Sequence, residues 1–229
     1  LHTRGYYQYR YPKEHRDLAK PQGHQYVNAM DIRNYREPDL PYLYEICLKT
    51  GDNGKDASPL YNDPYVLGQF YAAPYAFFEK DCVLILEGAY QGLRRPLGYI
   101  LGTSDTAAYT DWFNREWRPA AEVLYRGTEG SKSTTEEGTR RLFAEPLTCP
   151  TWAAQYPGHI HIDLLPEAQG GGWGRKLMDA ITARFTEKSC RGFHLGVSGA
   201  NQGAIAFYRR YGMCEISTEP WGIVFGKML

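Results

Sequence analysis

The segment His159–Arg175, HIHIDLLPEAQGGGWGR, constrains the architecture of this chain more than any other stretch. Ile160, Ile162 and Leu164 alternate with His159, His161 and Asp163, the period-two pattern of a half-buried strand. Pro166 ends that strand. Gln169–Arg175 (QGGGWGR) then leads into a helix in which Trp173, Leu177, Ile181 and Phe185 recur every fourth residue. A strand that feeds a helix through a glycine turn belongs in a layered α/β domain.

The flanking pattern agrees. Asp31–Tyr35 reads as a short strand, and Pro38–Asp39 opens a helix with Leu40, Leu43, Tyr44 and Cys47 on one face. TGDNGKDAS, Thr50–Ser58, is a loop, and Leu60, Val66, Leu67 and Phe70 mark a second helical stretch. Cys82–Glu87 and Pro96–Gly102 read as strands joined through Ala89–Arg94. Asp105–Tyr125 is expected to be one helix, and the polar run Gly127–Gly138 a mobile surface loop. Gly192–Val197 and Trp221–Phe225 are further strands. Between them Asn201 caps a helix with Ile205, Tyr208 and Arg209 on successive turns, closed by Gly212. The expectation is one α/β domain over residues 31–229, with a mixed central sheet flanked by helices, preceded by an N-terminal extension, residues 1–30.

Composition narrows the function classes. The chain has 229 residues, 43% hydrophobic and 23% charged, too apolar for a disordered chain. No run of about 18 apolar residues exists to span a membrane. Lys+Arg and Asp+Glu are both 26, so the basic excess of a general nucleic-acid binder is absent. Arg4, Arg10, Lys13, Arg16 and Lys20 interleave with tyrosines in the extension, but the stretch is short. The five cysteines form no CxxC pair, so neither a disulfide framework nor a zinc site is expected, and no metal is assigned. Unpaired thiols and a polar Leu1–Lys20 segment place the expectation in the cytoplasm.

The glycine turn is where chemistry enters. Backbone N–H groups and the positive end of a helix dipole favour an anion, and glycines let it approach. The turn is too short for a P-loop, and Arg175 stands where a GxGxxG pattern needs its third glycine. The plain alternative is a flexible linker before a helix.

Gln169-x-x-Gly172-x-Gly174, followed by Asn201-x-x-Ala204-x-x-Phe207-Tyr208-x-x-x-Gly212-Met213, resembles the GCN5-related N-acetyltransferase family. IRNYREPDLPYLYEIC, VLILEG and GYILGTSD are similar to the acetyltransferase-like domain of O-GlcNAc hydrolases and its free-standing bacterial relatives. The resemblance implies an acetyl-coenzyme A-dependent N-acetyltransferase acting on an amine, or a coenzyme-binding interaction module without turnover. It implies that Gln169, Gly170, Gly171, Gly172, Trp173, Gly174 and Arg175 hold the pyrophosphate. The backbone at Leu164 and Leu165 would pair with the pantetheine arm, and Asn201 and Phe207 would flank it.

The same resemblance puts Tyr208 at the position of the acid that protonates the departing thiolate. It puts the oxyanion donor on a bulged strand near Leu164. For the base, Asp163, His161 and a water chain stay open, since all three suit the strand face that passes the acceptor. Asp52, Asn53 and Asp56, after the first helix, would favour a cationic acceptor, or are solvated turn residues. The acceptor itself is unidentified. A homodimer is compatible with the sequence.

Overall fold

The computed structural model describes residues 30–127 and 129–229; the N-terminal extension, apart from its last residue, lies outside them. A seven-stranded mixed sheet runs in the order β1-β2-β3-β4-β5-β7-β6. Its strands are β1 (Asp31–Asn34), β2 (Val83–Tyr90), β3 (Leu93–Thr103), β4 (Gly158–Leu164), β5 (Gly192–Ser198), β6 (Cys214–Glu219) and β7 (Gly222–Met228). Among the described residues only β4 and β5 pair in parallel; every other neighbour is antiparallel.

Helices cover both faces. α1 (Leu40–Thr50), α2 (Val66–Tyr71) and α3 (Ala73–Phe78) lie against one face, where Tyr71 and Tyr75 meet His161 edge-on. α7 (Trp173–Glu187) packs on the other, its Leu177, Ile181 and Phe185 fully buried, as their four-residue spacing predicts. A Cβ at Gly102 of β3 would stand 2.8 Å from the Phe185 ring, so this strand residue has to be small for the helix to seat. α8 (Gln202–Tyr211) lies beside α7, with the Tyr211 hydroxyl donating to Asp179 at 2.9 Å. Asn201 caps it by accepting the Ala204 N–H at 3.1 Å, and Gly212 closes it at φ 87°. Ile205, Tyr208 and Tyr211 face inward from it, whereas Arg209 points out to Glu215.

The structure departs from the sequence reading in four places. The expected single helix over Asp105–Tyr125 is three pieces: α4 (Thr106–Trp112), a π-turn at Phe113–Trp117, and α5 (Arg118–Tyr125). Pro119 has no N–H to give, and its ring would press on the carbonyl four residues back; the wider turn, with Arg118 N–H bonded to Phe113 O, relieves that conflict. The expected loop over Gly127–Gly138 instead holds the start of α6 (Thr134–Arg141), whose Ser133 cap accepts the Glu136 N–H. Glu136 is wholly buried and accepts the backbone N–H of Asn62, Asp63 and Lys132 while pairing with Arg140.

The β2–β3 hairpin is tighter than expected. Its turn is Gln91–Gly92, both at positive φ, so the strands run almost to the tip. The C-terminal strand is half of a β6–β7 hairpin; CEISTE at the sheet edge is too polar to read as a strand.

Candidate functional site

β4 and β5 are hydrogen-bonded partners at only two positions, Gly158↔Phe193 and His159↔His194. Beyond these β4 stays in register with β3 and β5 with β7, so the sheet divides between them. The edge of β4 from Ile160 onward is therefore free to pair with an extended ligand, as an added strand would. The β3–β4 register is continuous from Gly98↔Leu164 to Thr103↔His159. The bulge expected near Leu164 is absent. The Leu164 carbonyl accepts from Gln169 Nε2 at 2.9 Å and Leu165 N–H donates to Leu97 O, so both are already engaged.

The opening ends at the start of α7. Gly170 and Gly172 have φ of 80° and 76°, values that favour glycine, and no other heavy atom lies within 4 Å of where a Cβ on either would stand. The turn thus bends as a concave, uncovered backbone. The N–H groups of Trp173, Gly174 and Arg175 have no helical carbonyl to bind. Arg175 and Lys176 add positive charge beside them, stacked over Tyr211 and Trp173. Gly174 faces the Phe207 ring of α8, which a Cβ there would meet at an ordinary contact distance of 3.4 Å. Open N–H groups at a helix N-terminus with two cations beside them favour an anion.

On the α1–α3 side of β4 the sequence-predicted strand face is confirmed. His159, His161 and Asp163 all point there, each with its own surroundings. His159 is bonded on both nitrogens, to Tyr75 Oη at 2.7 Å and Thr106 Oγ1 at 2.9 Å, and burial holds it well below the usual imidazole range. His161 is pushed down to about 4 by burial, with His194 adding to it. Its neighbours are the edges of Tyr71 and Tyr75.

Asp163 accepts the Tyr99 hydroxyl at 2.6 Å, and burial raises its carboxyl above the usual range against that bond. Tyr208, 8% exposed on α8, is pushed up by burial and further by the charge of Asp163. Helix α8 and strand β4 therefore bring Tyr208 and Asp163 into one electrostatic neighbourhood, although the two are far apart in sequence.

A cavity of about 350 Å³ lies where the strands begin to part. Its wall includes His159 and His161 of β4, His194 of β5, and Trp152 and Trp221. His194 went unremarked in the sequence reading. Its ring is oriented by a bond between Nδ1 and the Tyr156 carbonyl at 2.8 Å. A lone histidine in the apolar strand GFHLGVS carries no signal of its own; only the pairing of β5 with β4 sets it beside His159.

Asp52, Asn53 and Asp56 lie apart from that cavity. Asp56 is engaged by Lys49 Nζ at 2.8 Å and the Ser58 N–H, which hold it below the usual carboxylate range against partial burial. Asp52 and Lys55 close a small turn beside Gly54, which lies near the Asn201 amide. Among the described residues no three His, Cys, Asp or Glu side chains converge as metal ligands do, and no helix is long and apolar enough to cross a membrane.

Comparison with known proteins places this arrangement. Residues 142–213 match the family model described as acetyltransferase (GNAT) family. The crystal structure of SsHAT is 33% identical, with a TM-score of 0.79, over 87% of this chain and 98% of that one. The polyamine N-acetyltransferase of Drosophila melanogaster shares the fold at 14% identity and a TM-score of 0.54, over 88% of this chain and all of its own (100%). Ard1 from Thermoplasma volcanium does so at 16% identity and 0.52, over 88% of this chain and 98% of its own.

Proposed function

The chain belongs to the acetyltransferase (GNAT) family, and from that premise we propose that it transfers the acetyl group of acetyl-coenzyme A to a primary amine by direct attack. The observation that carries this reading is the parted β4–β5 edge, which ends at an uncovered glycine turn on the α7 N-terminus. The turn from Gly170 to Arg175 offers the phosphates free N–H groups and two nearby cations. The pantetheine arm would lie along the β4 edge, with Asn201 and Phe207 on the α8 side. Gln169, which holds the Leu164 carbonyl, would give way or bridge to the arm.

Four events make up the reaction. The nitrogen of the free amine bonds to the thioester carbon, that nitrogen loses a proton, the carbon–sulfur bond breaks, and the leaving sulfur takes a proton; an acceptor that arrives as an ammonium first releases one further proton to solvent. Tyr208 supplies that last proton. Burial keeps its phenol protonated throughout neutral pH, as a donor must be when turnover begins. Asp163 receives the amine proton, directly or through water. Its carboxyl is shifted upward toward the working range of a base, whereas the shift of His161 runs away from it. Tyr99 holds one Asp163 oxygen in place.

The test is calorimetric titration of acetyl-coenzyme A into the wild type and Gly172→Val, followed by thiol-release assays on amines. A β-branched residue at φ 76° is strained, and its methyls would fill the open turn. Binding should be present in the wild type and lost in the folded variant. Equal affinity in the two would remove the cradle from the reading. Tight binding with no thiol release on any amine would make the chain a coenzyme-binding module instead.

A further inference from the structure

We propose that the cavity between β4, β5 and the α2–α4 layer is the acceptor pocket, and that it selects a small primary amine carrying an aromatic group. This rests on the acetyl-transfer reading above and names the substrate class of that site. The cavity opens where β4 and β5 part, so an amine in it faces the same gap that the thioester would enter. At about 350 Å³ it is at the small end of the roughly 300–1,000 Å³ range of small-molecule sites.

Its lining decides the class. Phe70, Tyr71, Tyr75, Tyr109, Trp152 and Trp221 supply ring faces and edges, and no Asp, Glu, Lys or Arg side chain lines it; Asp163, two residues beyond the lining His161 on the same face of β4, would take the amine proton through water. An aromatic group gains area burial and edge-to-face contact there. A single ammonium can be held by ring faces until it is deprotonated. A second ammonium, as in a diamine or polyamine, would be buried without a counter-charge, which is costly.

Two further features fit a bound ligand. Trp152 Nε1 is buried with no hydrogen-bond partner, and His161 has its ring nitrogens unclaimed by any neighbour, unlike His159 and His194. Trp221 lies over Gly196, where a Cβ would stand 2.6 Å from its ring. Glycine at this position lets the indole close one wall of the pocket while itself remaining 54% exposed.

The test compares phenethylamine and tryptamine with spermidine and a lysine peptide, in thiol-release assays with saturating acetyl-coenzyme A. Aromatic amines should give the highest kcat/KM. Trp221→Ala, at a half-exposed position, should raise KM for phenethylamine about tenfold, the scale of one lost aromatic contact, with little change in kcat. Thr148→Glu, which sets a carboxylate at the rim, should shift preference toward spermidine.

Calorimetry of phenethylamine on the coenzyme A complex reads binding without turnover. Spermidine or the peptide outperforming the aromatic amines would overturn the proposal. So would absent phenethylamine binding, or a Trp221→Ala KM equal to the wild type. If acetyl-coenzyme A itself does not bind, the acetyl-transfer reading fails first, and the two failures are distinguished.

Discussion

Tyr208 and Asp163 show how burial sets chemical roles that residue type alone leaves open. A tyrosine beside Phe207 on an amphipathic helix is most simply a core aromatic, and Tyr208 is packed against Phe225 as one would be. What separates it from its neighbours is that the charge of Asp163 adds to burial in raising its phenol. If that hydroxyl protonates the leaving thiolate, Tyr208→Phe should lower kcat by roughly 10²- to 10⁴-fold while coenzyme affinity, read by calorimetry, stays near wild type. Normal turnover in the Phe variant would reduce the residue to packing. The strand HIHID foretold that Asp163 and the two histidines share a face. It did not foretell that Tyr75 and Thr106 engage both nitrogens of His159, which leaves His161 and Asp163 as the candidates for chemistry on that face.

Element boundaries were legible where local rules act alone. Asn201 and Gly212 bracket α8 as a cap and a left-handed terminus should, and the apolar spacing of α7 holds over its whole length. They were illegible where a polar residue is needed for a distant partner. The TTEEGTRR run is hydrophilic enough to read as surface, yet its Glu136 is 0% exposed because it terminates the Asn62–Asp63 backbone and the Lys132 N–H. Glu136→Ala would leave those donors and Arg140 unpaired in the interior. The expected loss is about 3–5 kcal/mol by urea unfolding, as for breaking a buried ion pair. A surface glutamate would show almost none of that loss.

At the scale of the whole molecule, the face of β4 and β5 gathers three imidazoles into a shielded layer. His159, His161 and His194 are all held below the ordinary range, in each case first by burial. A depressed pKa means the folded chain resists protonation that the unfolded chain accepts. The stability contributed is complete above the unfolded value near 6.5 and is lost as pH falls toward the folded value, about 4 for His161. Asp163, raised by burial, carries the opposite sign, so the histidine contribution is isolated by comparing variants. The wild type should lose stability between pH 6.5 and 4 more steeply than His161→Gln, by about 1.4 kcal/mol per pH unit, the value for one proton. Parallel urea curves for the two proteins across that range would show that the ring stays solvated.

The α/β order of elements, the faces of β4 and α7, the caps of α8 and the glycine turn are legible in the chain, because each follows from contacts between residues a few positions apart. Gly170 and Gly172 adopt the left-handed angles that their identity permits. Long-range packing alone makes β4 and β5 part after His159↔His194, brings the charge of Asp163 to bear on Tyr208, and has His194 and Trp221 close a cavity with residues of α2, α3 and α4. Each of these depends on where β3 and β7 hold their partner strands. Such long-range pairing leaves no local pattern in the chain, since the same alternating residues would suit a continuous sheet equally well.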